Sequence, residues 1–171
     1  DQLEELFQLM IDLDVWTWQI QIGAPVGRFG KELVLDINEV REVAEFIAKA
    51  RTKTKGKIEI VCADCIGYFS DLKLRDNRWA GCNAGLCLMS ITADGEVKGC
   101  LSMPDSLIQG NIRERKLKEI WETGFAFARN FDLRKLKGKC RNCQKAKECR
   151  AGCRAMSLSF GDMFEFPLCV R

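Results

Sequence analysis

Ten cysteines and no histidine in 171 residues constrain this chain more than any other feature. Eight of the ten fall into groups with metal-cluster spacing. Cys140, Cys143, Cys149 and Cys153 form a C-x2-C-x5-C-x3-C run, and Cys169 follows it. Upstream lie Cys82, Cys87 and Cys100, with Gly95 between the last two. With imidazole absent, the soft ligand for any bound metal is thiolate. That favours iron–sulfur clusters or structural zinc. Cluster ligands combine short spacings, which wrap one corner of a cube, with a distant residue that closes it. Two all-thiolate zinc sites would also use eight cysteines, although zinc ribbons usually pair two C-x2-C knuckles. Disulfides are a third alternative, and the N-terminus, Asp1-Gln2-Leu3-Glu4-Glu5, has neither a basic region nor an apolar export core. A reducing, cytoplasmic compartment is therefore expected, where thiols are available to metal.

Charge and hydropathy narrow the classes further. The net charge is +3, and the densest basic stretch, Arg134 to Lys147, is threaded between cysteines without interleaved aromatics. It reads as a solvated loop, or as cations offsetting thiolate charge, rather than as a nucleic-acid surface. Every apolar run is broken by polar residues, so no membrane span is expected.

The first third follows an α-β-α-β order. Leu3, Leu6, Phe7, Leu9, Met10 and Leu13 recur at helical spacing and are expected to bury one face. Val15 to Ile22 reads as a strand, and Gly23 to Gly30 as a loop. Asn38 is the expected N-cap of a helix reaching about Arg51, with Val40, Val43, Ala44, Phe46 and Ile47 on its apolar side. Gly56 ends that helix and Lys57 to Cys62 reads as a second strand. This order belongs to parallel sheets with crossover helices. Asp71 to Arg78 reads as a charged linker, and Leu88 to Cys100 as a β-hairpin turning at Asp94-Gly95. Gly110 to Arg113 is a turn or short extended piece. A helix or broken helix pair through Leu117, Ile120, Trp121, Phe125 and Ala128 comes next, and Cys149 to Ser159 is partly helical.

The cysteine pattern, Cys82, Gly95, Cys100, then Cys140, Cys143, Cys149, Cys153 and Cys169, resembles the SPASM domain. This is the C-terminal module of many radical S-adenosylmethionine (SAM) enzymes, and the resemblance covers about Gly81 to Arg171. Gly110-Asn111-Ile112 with Leu117-Lys118-Glu119-Ile120-Trp121 resembles one family segment. Gly152-Cys153-Arg154-Ala155 resembles its glycine-glycine-cysteine-arginine-alanine segment, with Ala151 in place of the first glycine. The resemblance implies two auxiliary [4Fe–4S] clusters, the first on Cys82, Cys87, Cys100 and Cys153, the second on Cys140, Cys143, Cys149 and Cys169. It also implies an α/β fold. Residues 1–75 would be the last units of a partial TIM-like β/α barrel, and 76–171 a small cysteine-rich α+β domain.

Barrel enzymes work at the C-terminal ends of their strands. Gly27 and Arg28, after the first strand, are therefore candidates for the SAM or substrate side. Cys62 and Cys65, outside both cluster sets, and Asp64 between them are low-weight candidate catalytic groups; two small apolar-like residues packed in a strand end are the simpler reading of the thiols. The family's C-x3-C-x2-C motif, which holds the SAM-cleaving cluster, is missing: Cys149 and Cys153 are followed by Met156. With Asp1 rather than Met at the start, the expectation is a portion of a longer enzyme whose remaining part supplies SAM and a third cluster. The resemblance implies peptide or protein maturation most often, small-molecule or tetrapyrrole substrates in some members, and an external electron donor or acceptor. A stand-alone electron-transfer module and a zinc-stabilised interaction module are the rival readings.

Overall fold

A computed structural model describes residues 2–63, 66–68, 70–74 and 81–171. The chain forms two compact units, one within 1–79 together with 167–171, the other within 80–166.

In the first unit, α1 (Gln2–Asp12) leads into β1 (Thr17–Ile20). A loop with a single 3-10 turn (Lys31–Leu33) then leads to α2 (Ile37–Thr54) and β2 (Glu59–Cys62). The two strands pair in parallel, Trp18 opposite Ile60 and Ile20 opposite Cys62. Helix α2 makes the crossover that a parallel pair requires. It buries Val40, Ala44, Ile47 and Ala50, a stripe at helical period. Phe7 of α1, Trp18 of β1 and Phe46 of α2 pack as an aromatic trio, with ring centroids 6.0 to 6.4 Å apart.

Three expectations are corrected here. The N-cap of α2 is Asp36, not Asn38. The Asp36 carboxylate accepts from the amides of Asn38 (2.7 Å) and Glu39 (3.0 Å), and Glu39 accepts from the Asp36 amide (2.7 Å). This is a complete capping box, and it starts the helix earlier. Of the apolar face expected of α1, only Phe7 is buried, while Leu6, Leu9 and Leu13 are exposed. These leucines lie off the stripe that faces Trp18 and Phe46. The stretch read as a linker begins with structure: Leu74 is buried, and its carbonyl accepts from Arg51 Nη1 at 2.8 Å.

The second unit contains a small antiparallel sheet. Strands β3 (Ser90–Ile91), β4 (Glu96–Lys98) and β5 (Gly110–Asn111) are arranged in that order. The β3–β4 hairpin turns at Asp94-Gly95 as the sequence predicts. Gly95 has φ 88°, and a Cβ there would lie 2.7 Å from Asn111 Oδ1, so the turn needs glycine on both counts. The Asn111 amide closes the turn by donating to the Asp94 carbonyl (3.0 Å). Helices α3 (Leu117–Thr123) and α4 (Ala126–Arg129) are the broken pair, parted at Gly124-Phe125, and Phe125 is fully buried beside Val97 and Ile120. Three short helices punctuate the cysteine run: α5 (Gly138–Arg141) with Cys140, α6 (Ala146–Cys149) with Cys149, and α7 (Arg154–Ser159), which Cys153 immediately precedes. Among the described residues no helix is long and apolar enough to cross a membrane.

Candidate metal centres

The nine described cysteines are all thiols. Cys82, Cys100 and Cys153 pack against one apolar cluster formed by Ala84, Met103 and Ala155, with Leu107 and Phe127 at its margin. Two local devices bring these distant positions together. Gly81, with φ 90°, runs so close to the α6 backbone that a Cβ would lie 3.0 Å from the Glu148 carbonyl oxygen. At the end of β4, the buried Lys98 ammonium pairs with Asp105 at 2.9 Å, and the Met103 amide donates to the Cys100 carbonyl (3.0 Å), which together shape the loop beyond Cys100. Cys87 is exposed on the tight loop after Cys82, where the amides of Leu86, Cys87 and Leu88 all converge on the Asn83 carbonyl.

The downstream cysteines lie on consecutive turns. The Cys143 amide donates to the Cys140 carbonyl (3.3 Å), and the Lys145 amide donates to Cys143 Sγ (3.4 Å). An amide directed at sulfur stabilises thiolate and tunes a cluster bound there. Cys149 ends α6, and Arg150, Ala151 and Gly152 then all take left-handed conformations, with φ 51°, 61° and 69°. The buried Ser157 hydroxyl donates to the Ala151 carbonyl (2.9 Å) and holds this bend, which delivers Cys153 to the start of α7. Cys169, half-buried, belongs to the other compact unit.

Burial pushes the Cys153 thiol up to about 11, with Cys82 and Cys100 adding to the rise as like charges. The amides of Met156 and Ala155 draw it back. Next to it lies Arg154, with 0% of its surface exposed. Burial lowers the pKa of its guanidinium, and Cys82 and Cys153 oppose that. Its Nη1 donates to the Ala84 carbonyl at 3.4 Å, whereas Nε and Nη2 meet no hydrogen-bond acceptor among the described residues. Beyond its motif, Arg154 has no role legible in the sequence, because an arginine reads as surface by default.

Among the described residues no three Cys, Asp or Glu side chains are gathered as ligands to a single metal ion. The donor chemistry fits an iron–sulfur cluster. It consists of thiols alone, mostly half-buried, with an amide at one sulfur and, next to Cys153 in the chain, a buried cation with spare donors.

Other sequence candidates lie apart in chain position. Gly27 and Arg28 are exposed in the loop after β1. Cys62 is buried at the end of β2, and its thiol donates to the Ile66 carbonyl at 3.5 Å. Asp64 and Cys65 lie outside the described residues.

Residues 82–144 match the SPASM family, described as an iron–sulfur cluster-binding domain. That stretch of the chain is similar to this domain. The chain's likeness to the SPASM-bearing radical SAM enzymes extends beyond the matched segment. Proteins named AdoMet-dependent heme synthase are 25% identical in Methanosarcina barkeri, over 99% of this chain and 52% of theirs, and 26% identical in Oleidesulfovibrio alaskensis, over 98% and 47%. A third, from Nitratidesulfovibrio vulgaris, is 27% identical over 97% of this chain and 49% of its own. This chain thus spans about half the length of these relatives. The crystal structure of Streptococcus suis SuiB bound to S-adenosylmethionine superposes with a TM-score of 0.65 at 19% identity, over 96% of this chain and 40% of SuiB. That likeness concerns the fold.

Proposed function

We propose that this chain is the auxiliary-cluster portion of a radical SAM enzyme. The first cluster would be held by Cys82, Cys87, Cys100 and Cys153, and the second by Cys140, Cys143, Cys149 and Cys169. The observation that carries this reading is the packing of Cys82, Cys100 and Cys153, far apart in sequence, against the single apolar cluster of Ala84, Met103 and Ala155. When bound, such clusters accept or relay single electrons at potentials set by burial and by hydrogen bonds to sulfur. The chain's own residues supply that environment. Ala84, Met103 and Ala155 exclude water from one side of the thiols, and the Lys145 amide holds Cys143 Sγ as an acceptor.

The first unit reads as part of a partial β/α barrel. Its parallel strand pair with a crossover helix supports this, as do the exposed Leu6, Leu9, Leu13 and Trp16, which a further layer of β/α units would cover. In the whole protein, S-adenosylmethionine would be cleaved at a further cluster, and Gly27 and Arg28 would face that chemistry. The heme-synthase relatives favour a tetrapyrrole substrate over the peptide substrates expected from the resemblance, because they match this chain along nearly its whole length.

The test is iron, acid-labile sulfide and zinc per chain after anaerobic reconstitution. About eight irons and eight sulfides support two [4Fe–4S] clusters. About two zincs with little sulfide would make this a structural module instead. For the whole enzyme, 5′-deoxyadenosine formed with a heme precursor, and not with peptides, would support the tetrapyrrole reading.

A further inference from the structure

We infer that Arg154 is the fixed cation and hydrogen-bond donor of the cluster on Cys82, Cys87, Cys100 and Cys153, and that it raises that cluster's reduction potential. The inference rests on the cluster assignment above. A guanidinium keeps its charge at any physiological pH and carries five N–H donors. Burying such a group without acceptors is costly. Arg154 is fully buried, spends Nη1 on the Ala84 carbonyl, and leaves Nε and Nη2 without an acceptor among the described residues.

Its surroundings indicate what the acceptor is. The rings of Phe131 and Phe127, 5.0 and 5.9 Å from the guanidinium carbon, offer π-faces and no lone pairs for strong hydrogen bonds. Ala84, which Nη1 reaches, belongs to the apolar cluster that carries Cys82, Cys100 and Cys153. Ala84 lies two residues after Cys82, and Arg154 directly follows Cys153 in the chain. Sulfur is therefore the acceptor that this pocket supplies, and a bound cluster adds its own sulfides. One-electron reduction adds a negative charge to the cluster. A buried cation with donors on sulfur stabilises that state more than the oxidised one, which moves the potential upward.

The experiment uses the anaerobically reconstituted chain carrying Cys143→Ala, so that one cluster remains. Arg154→Met and Arg154→Lys are made in that background. Iron and sulfide are measured first. An EPR-monitored titration with dithionite as the electron donor then gives the midpoint. Arg154→Met is expected to keep its iron and to disfavour the reduced state at least tenfold, a fall of about 59 mV for one electron. Arg154→Lys, which keeps the charge but not the planar fork, should recover part of that fall. An unchanged midpoint with iron retained would overturn the inference and leave Arg154 a packing residue.

If Arg154→Met does not take up iron, pulsed EPR on the parent with 15N-labelled arginine decides. A nitrogen coupling to the reduced cluster that disappears in Arg154→Lys supports the inference, and no coupling in the parent overturns it. A parent without iron and sulfide overturns the cluster assignment itself, and this inference with it.

Discussion

Ala151 occupies a left-handed conformation (φ 61°) between two others, and it is buried. A non-glycine residue there costs roughly 1–2 kcal/mol, partly offset because glycine loses more entropy on folding. Ala151→Gly is therefore expected to stabilise the chain by about 0.5–1 kcal/mol in urea unfolding. A loss of stability would mean that the bend carries no strain. Gly81→Ala should do the opposite, because φ 90° and the nearby Glu148 carbonyl both oppose a Cβ. A cost of about 1–3 kcal/mol is expected, with lower iron uptake, read by unfolding and iron analysis. At this scale the sequence is legible where chemistry is explicit. The cysteines and Gly95 could be named from spacing alone. Arg154 and Ser157 could not, because nothing in a linear sequence marks a polar residue as fully buried, and only the fold reveals which donors lack acceptors.

Elements were legible in proportion to their local signals. The hairpin was readable from Asp94-Gly95, whereas β5, two residues long, has no alternation to read. The start of α2 is ambiguous in sequence because Asp36 and Asn38 are both good caps, and Glu39 three residues after Asp36 decides between them. Asp36→Ala should cost about 1 kcal/mol, seen in thermal or urea unfolding of the first unit. A second element-level contact joins Lys137, just before α5, to Asp162, whose carboxyl also accepts from the Phe164 amide (2.9 Å). The Lys137 ammonium, followed by the Phe164 amide, holds the Asp162 carboxyl below its usual range. The folded pKa is depressed, so this contribution is complete above the unfolded value near 4 and is lost as pH falls through the folded value. Both groups are partly solvated, which limits the effect to about 0.2–1 kcal/mol. Asp162→Asn should lose that amount at neutral pH and show a shallower decline in acid, as measured by unfolding between pH 7 and 2.

For the molecule as a whole, the α-β-α-β order of the first unit could be read from periodicity, but the packed stripe of α1 could not. Helical spacing gives a face its apolar residues, and tertiary partners determine which of them are covered. The iron content tests the assignment at this scale. Cys143→Ala should lower iron from about eight to about four per chain, the content of one four-iron cluster. Cys62→Ala, at a thiol bonded to the Ile66 carbonyl, should leave iron unchanged. Equal losses from the two variants would overturn the ligand assignment. The left-handed bend at Arg150-Ala151-Gly152 has a further consequence. It joins Cys149 to Cys153, which the assignment gives to different clusters. Four residues extend no further than about 14 Å even when fully stretched. The two redox centres would therefore share a short covalent wire, and this turn would set the tunnelling gap between them.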